Sequence, residues 1–209
     1  MSSEPRTTAK IWDQRYSEPV FAFGTEPNGF LADQQARLAP GQKALVPGDG
    51  EGRNGVWLAG LGLDVVTVDA SQVGVEKARK LATERGVRID ARAADLNVWP
   101  WPQAQFDVVA AIYIHFPPAE RPVMHRRMLA ALKPGGIVIL ECYSPRQLER
   151  RKDGSTGGPP PEMLVLPTDL ASDFAEAEIE LLEEVETVLA EGVRHVGPST
   201  VVRLIARRT

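Results

Sequence analysis

The segment Ala-Leu-Val-Pro-Gly-Asp-Gly-Glu-Gly-Arg-Asn at residues 44–54 constrains the fold more than any other stretch of the chain. A short apolar run feeds three glycines at alternate positions, and a helical pattern follows directly. Glycine tolerates positive φ and lets a ligand lie close against the main chain, so the segment reads as a strand, a ligand-cradling turn and a helix start.

Around it, short apolar runs alternate with amphipathic stretches. Strands are expected at 43–46, 64–69, 87–92, 106–114 and 137–143, and helices at 54–61, 71–85 and 120–132, several of them closed by glycine. The run at 106–114 is almost continuously apolar, as in a central parallel strand covered on both faces. This alternation predicts a doubly wound α/β fold of three layers, with ligands at the carboxyl ends of the strands.

Two helical segments at 11–16 and 30–38 precede the first strand, and a loop rich in Arg, Gly and Pro occupies 145–167. The loop is a possible lid, and residues 1–40 form a helical cap. A helix at 168–176 and two strands at 179–191 and 200–206, joined through 192–198, complete one expected domain over 1–209.

Composition narrows the function classes. The chain has 209 residues, 43% of them apolar, enough for one substantial core. A net charge of -4 excludes the broad basic footprint of a protein whose main partner is nucleic acid or an anionic membrane. A small-molecule partner is expected instead. The single cysteine, Cys142, gives no disulfide framework and no metal-ligand spacing, so no metal is expected. With no apolar leader in the first ten residues and no run near the roughly 20 apolar residues of a membrane span, the expected location is cytoplasmic. Oligomeric state leaves no mark in the sequence.

Glycine spacing separates two ligand classes. A dinucleotide fingerprint needs a third small residue where Arg53 stands after Gly48 and Gly50, which disfavours an NAD(P)-dependent oxidoreductase. Asp69, ending the second strand, is placed to accept hydrogen bonds from both ribose hydroxyls, or to cap the helix that begins near Ser71. Asp95 follows the third strand as a candidate partner for an adenine amino group. His115, just beyond the fourth strand, is the candidate general base. Tyr113 and Tyr143 are candidate linings of an acceptor pocket, and the basic residues Arg146, Arg150, Arg151 and Lys152 offer steering for an anion.

The order of residues 45–54, Val68-Asp69-Ala70-Ser71, Ala94-Asp95-Leu96, Phe106-Asp107-Val108-Val109 and Leu132-Lys133-Pro134-Gly135-Gly136 resembles a class I S-adenosylmethionine-dependent methyltransferase over about residues 10–145. Trp12-Asp13-Gln14-Arg15-Tyr16 and Ile114-His115-Phe116-Pro117-Pro118 look most like the small bacterial tellurite-resistance and thiopurine methyltransferase-like group. The resemblance implies a mostly parallel seven-stranded sheet with its last strand antiparallel. It implies S-adenosylmethionine as cofactor, its methionine part over Gly48, Asp49, Gly50, Gly52, Arg53 and Asn54, its ribose at Asp69, Ala70 and Ser71, and its adenine beside Ala94, Asp95 and Leu96. Ala111 would contribute backbone, and Trp12 and Arg15 would close over the cofactor.

One departure stands out. The family usually carries an acidic residue where this chain has Val46, followed here by Pro47; Asp49 and Glu51 are the candidate substitutes. The expected reaction is in-line transfer of methyl to a small thiol, chalcogen or other nucleophile. The alternative is a non-catalytic binding protein of the same fold.

Overall fold

The computed structural model describes residues 7–209, with the side chain of Thr7 excluded. Seven strands form one sheet in the order β3-β2-β1-β4-β5-β7-β6. They are β1 Lys43–Pro47, β2 Asp64–Asp69, β3 Asp90–Ala93, β4 Phe106–Ile112, β5 Leu132–Tyr143, β6 Ala177–Glu191 and β7 His195–Arg208. The first five pair in parallel, whereas β7 lies antiparallel between β5 and β6. The expected sheet, with its last strand reversed, is therefore present.

The central strands explain themselves residue by residue. Successive side chains of a strand point to opposite faces, and a strand covered on both sides needs apolar residues at every position. Leu45, Val109, Val138 and Leu140 pack into the core on one face with Met128, Leu170 and Phe174. Ala44, Val46, Val108, Ala110 and Ile139 pack on the other with Leu31 and Leu58. Each fully buried Val, Leu or Ile contributes about 1.5–3 kcal/mol relative to exposure, so β1, β4 and β5 anchor the molecule.

The helices are α1 Thr7–Tyr16, α2 Gly29–Asp33, α3 Arg53–Gly60, α4 Gln72–Glu84, α5 Arg121–Ala131, α6 Gln147–Lys152 and α7 Pro167–Asp173. Ser71 rather than Asp69 caps α4, its hydroxyl accepting the Gly74 amide at 3.0 Å.

Four expectations need correction. The helix expected at 30–38 is the short α2 followed by a single 3-10 turn, Gln35–Arg37. The stretch 145–167 is not plain loop, since it contains α6 and a 3-10 turn, Pro161–Met163. Strand β5 begins at Leu132, because Phe106 pairs with Leu132 ahead of a register shift. The connection expected at 192–198 shrinks to three residues, as long-range pairing with β6 draws 195–198 into β7. No described helix is long and apolar enough to cross a membrane.

Candidate active site

The glycine turn leaves β1 at the carboxyl edge of the sheet. Gly48, Gly50 and Gly52 have φ of 68°, 57° and 91°, in the left-handed region that glycine alone adopts cheaply. At Gly52 a Cβ would stand 2.5 Å from the Ala78 Cβ, so this glycine also lets α3 and α4 approach. A Cβ at Gly50 would stand 2.4 Å from the Tyr16 hydroxyl, which places the Tyr16 ring directly over the turn.

Asp69 is set at the end of β2 beside that turn. Its Oδ2 accepts the Gly50 amide at 2.8 Å and its Oδ1 accepts the Ser71 amide at 2.8 Å. Burial pushes its pKa up to about 6 against the lowering effect of those amides, so the carboxylate is ionised at neutral pH. Ala70 follows it, half-buried.

Asp49 and Glu51 answer differently to the missing acid at Val46, whose side chain is buried in the core. Glu51 is occupied: Oε2 accepts the Ala22 amide and Oε1 the Lys77 ammonium, both at 2.7 Å. Asp49 offers Oδ2 to the Gly55 amide at 3.1 Å and leaves Oδ1 without a partner. Burial pushes Asp49 up to about 8.

Among the other expected cofactor residues, Trp12 stacks on Tyr16 with centroids 5.4 Å apart and carries the Arg15 guanidinium 4.5 Å above its ring. The neighbouring Asp13 ties α1 to the start of α4, accepting the Ser71 hydroxyl at 2.6 Å. Asp95 sits in the β3 loop between half-buried Ala94 and buried Leu96, its Oδ1 accepting the Asn97 amide at 2.9 Å. Ala111 is buried inside β4. The side chains of Arg53 and Asn54 turn elsewhere: Asn54 accepts the Asn28 amide at 3.0 Å, and Arg53 pairs with Glu191 at 2.7 Å.

His115 does not have the arrangement of a general base. Its Nδ1 lies 3.0 Å from the Tyr113 carbonyl and its Nε2 accepts the Tyr143 amide at 3.1 Å. Burial lowers its pKa to about 4. The neutral ring thus straps β4 to β5 and has no nitrogen left to take a proton. Three of the four residues of the basic cluster are likewise committed, whereas Lys152 is exposed. Arg146 and Arg150 pair with Glu186, and Arg151 donates to the Gly157 and Pro159 carbonyls.

Sequence reasoning missed a buried polar network beside the turn. Glu141 accepts from Asn28 Nδ2 and the Tyr113 hydroxyl through Oε1, each at 2.7 Å, and from Arg203 through Oε2 at 2.7 Å. Glu191 accepts from Asn28, Arg53 and His195. Burial raises Glu191, yet the His195 bond and the Arg53 charge outweigh it and hold the carboxyl at about 2. Tyr113 takes φ of 52°, rare for an aromatic residue, as β4 ends. A charged residue inside the apolar run 137–143 was the available signal for Glu141. No local pattern marked Glu191 or His195, which join the network only through the long hairpin.

The glycine turn suits an adenosyl cofactor: three positive-φ glycines at the carboxyl edge of the sheet lie next to an ionised carboxylate at the β2 end. Comparison with known proteins agrees. Residues 44–136 match the methyltransferase domain family. A probable thiol methyltransferase 2 from Arabidopsis thaliana is 29% identical over 194 residues, covering 89% of this chain and 76% of the relative. A thiopurine S-methyltransferase from Pseudomonas putida is 28% identical over 202 residues, covering 85% and 88%. The crystal structure of TehB from Haemophilus influenzae shares the fold, with a TM-score of 0.70 and 17% identity over 97% of this chain and 67% of that one. Residues 44–136 thus resemble a methyltransferase domain, and over most of its length the chain is similar to enzymes named as thiol and thiopurine methyltransferases.

Proposed function

We propose that this enzyme methylates a small soft nucleophile of the thiol or chalcogen type, within one domain whose residues 7–40 cap the site, the first six residues of the expected cap lying outside the described residues. The observation that carries the cofactor side is the Asp69 carboxylate bonded to Gly50 at the glycine cradle. In this reading Asp69 holds the ribose, with Ala70 and Ser71 beside it. Gly48, Asp49, Gly50 and Gly52 face the methionine part, with Arg53 and Asn54 fixing the start of α3. Ala94, Asp95 and Leu96 border the adenine, Ala111 lines the floor, and Trp12 and Arg15 close from above.

When bound, S-adenosylmethionine supplies a methyl group already activated by its sulfonium. The chain's own work is to hold an acceptor in line at about 3 Å and keep water out. The engagement of both His115 nitrogens favours an acceptor that needs no base, such as a thiolate. Relatives named as thiol and thiopurine methyltransferases support the same class.

Incubation with methyl-labelled cofactor and a panel of thiols, selenite, tellurite, halides and small amines tests the reading. Transfer to thiols or chalcogens is expected. Weak cofactor binding and no transfer to any acceptor would favour the non-catalytic alternative, which buried Val46 at the usual acidic position keeps in play.

A further inference from the structure

Among the described residues three buried side-chain polar atoms have no partner: Asp49 Oδ1 in the glycine turn and two donors, Arg53 Nη1 and the Tyr143 hydroxyl. Both residues are more than nine-tenths buried, at 6% and 1% exposure. Leaving a buried donor unsatisfied costs about 1–3 kcal/mol, more when it is charged, so two in one neighbourhood call for a ligand. They belong to one cluster. Arg53 holds Glu191, Glu191 holds His195 at 3.2 Å, and the His195 ring stands 5.6 Å from the Tyr143 ring. Tyr113 stacks on Tyr143 at 4.7 Å, and Phe23 closes on His195 at 4.4 Å.

Resting on the methyltransferase reading, we propose that Arg53 Nη1 and the Tyr143 hydroxyl form the seat for the acceptor's reacting atom, and that this atom is a soft anion such as a thiolate. An arginine nitrogen only donates and a phenol donates readily, so the atom between them must offer lone pairs and welcomes negative charge. The aromatic walls favour a polarisable body over a strongly hydrated oxyanion. The Glu191 and Glu141 charges are already matched by Arg53 and Arg203, and burial pushes the nearby Asp49 carboxyl up to about 8, which favours its neutral form at pH 7.

Position selects the acceptor rather than the cofactor. Tyr143 ends β5, three strand spacings or about 14 Å across the sheet from β2, where Asp69 stands. Gly157, at φ of 107°, closes the seat, since a Cβ there would stand 2.6 Å from the Tyr143 hydroxyl. In the reaction a lone pair of the acceptor sulfur forms the new S–C bond. The old S–C bond breaks with its electrons returning to the cofactor sulfur, and a thiolate has no proton to shed.

The test is calorimetric titration of sodium thiocyanate, a soft anion that serves as probe, into protein saturated with S-adenosylhomocysteine. Wild type should bind it, and Tyr143→Phe and Arg53→Lys should each weaken binding at least tenfold, with S-adenosylhomocysteine affinity unchanged in Tyr143→Phe. Tyr143→Phe keeps the ring stacking and deletes only the unpartnered hydroxyl, so it should melt no lower than wild type. Thiocyanate affinity that is absent, or equal in all three proteins, overturns the proposal while the methyltransferase reading stands. A fall in S-adenosylhomocysteine affinity in both variants, with thiocyanate unaffected, assigns the pair to the cofactor's own carboxylate and overturns it too. Failure of wild type to bind S-adenosylhomocysteine overturns the parent reading and the proposal together.

Discussion

Asp69 and Gly50 meet at 2.8 Å, carboxylate oxygen to amide, across the gap between β2 and the glycine turn. The bond couples the end of β2 to the glycine turn, so the two segments proposed to hold the ribose and the methionine part of the cofactor are built as one unit.

Replacing Asp69 with alanine removes charge-assisted bonds worth about 1.5–3 kcal/mol, so affinity for S-adenosylhomocysteine should fall more than about tenfold. Calorimetric titration measures this directly. An unchanged dissociation constant would remove Asp69 from the binding site.

Gly52→Ala faces two penalties, a φ of 91° and an Ala78 side chain 2.5 Å from the new Cβ. Overpacking of this kind costs about 1–3 kcal/mol. For a chain of this size the melting temperature should drop by about 2–12 °C. Differential scanning calorimetry reads the shift, and an unaltered melting temperature would contradict the packing of α3 on α4.

Arg53→Met strands the Glu191 carboxylate in a buried site with only His195 and Asn28 as partners. Breaking a buried pair from one side costs about 3–5 kcal/mol. Adding Glu191→Gln should restore part of that loss, because the second change removes the uncompensated charge. Urea unfolding of the two single variants and the double variant measures the coupling; strict additivity would show that the pair does not interact.

His115 carries a pH signature. Its pKa is lowered to about 4 in the fold against about 6.5 in the unfolded chain. Between those values the unfolded state binds the proton and the native state does not, so stability falls as pH drops from about 6.5 toward 4. His115→Gln should flatten this part of the profile of melting temperature against pH. If the activity of that variant kept a bell-shaped pH dependence, a base other than His115 would be at work.

The parallel core was legible because the interior positions of β1, β4 and β5 are nearly all apolar where both faces are covered, and a run such as Val-Val-Ala-Ala-Ile records that requirement locally. The glycine turn was legible for a similar reason: positive φ at alternate positions leaves few residue choices. Asp69 was readable from its place at a strand end.

The tertiary structure alone decided what the polar side chains do. His115 had the position of a base, yet contacts with Tyr113 and Tyr143 turned it into a strap between strands. Arg146, Arg150 and Arg151 formed a basic run along the chain, yet carboxylates on β6 and carbonyls of the adjoining loop absorb them. Arg53, Glu141, Glu191 and His195 span 142 positions and meet only because β7 inserts between β5 and β6. Backbone conformation and burial period are written residue by residue. Partnerships between charges depend on which distant segments the sheet brings together, and no local pattern encodes them.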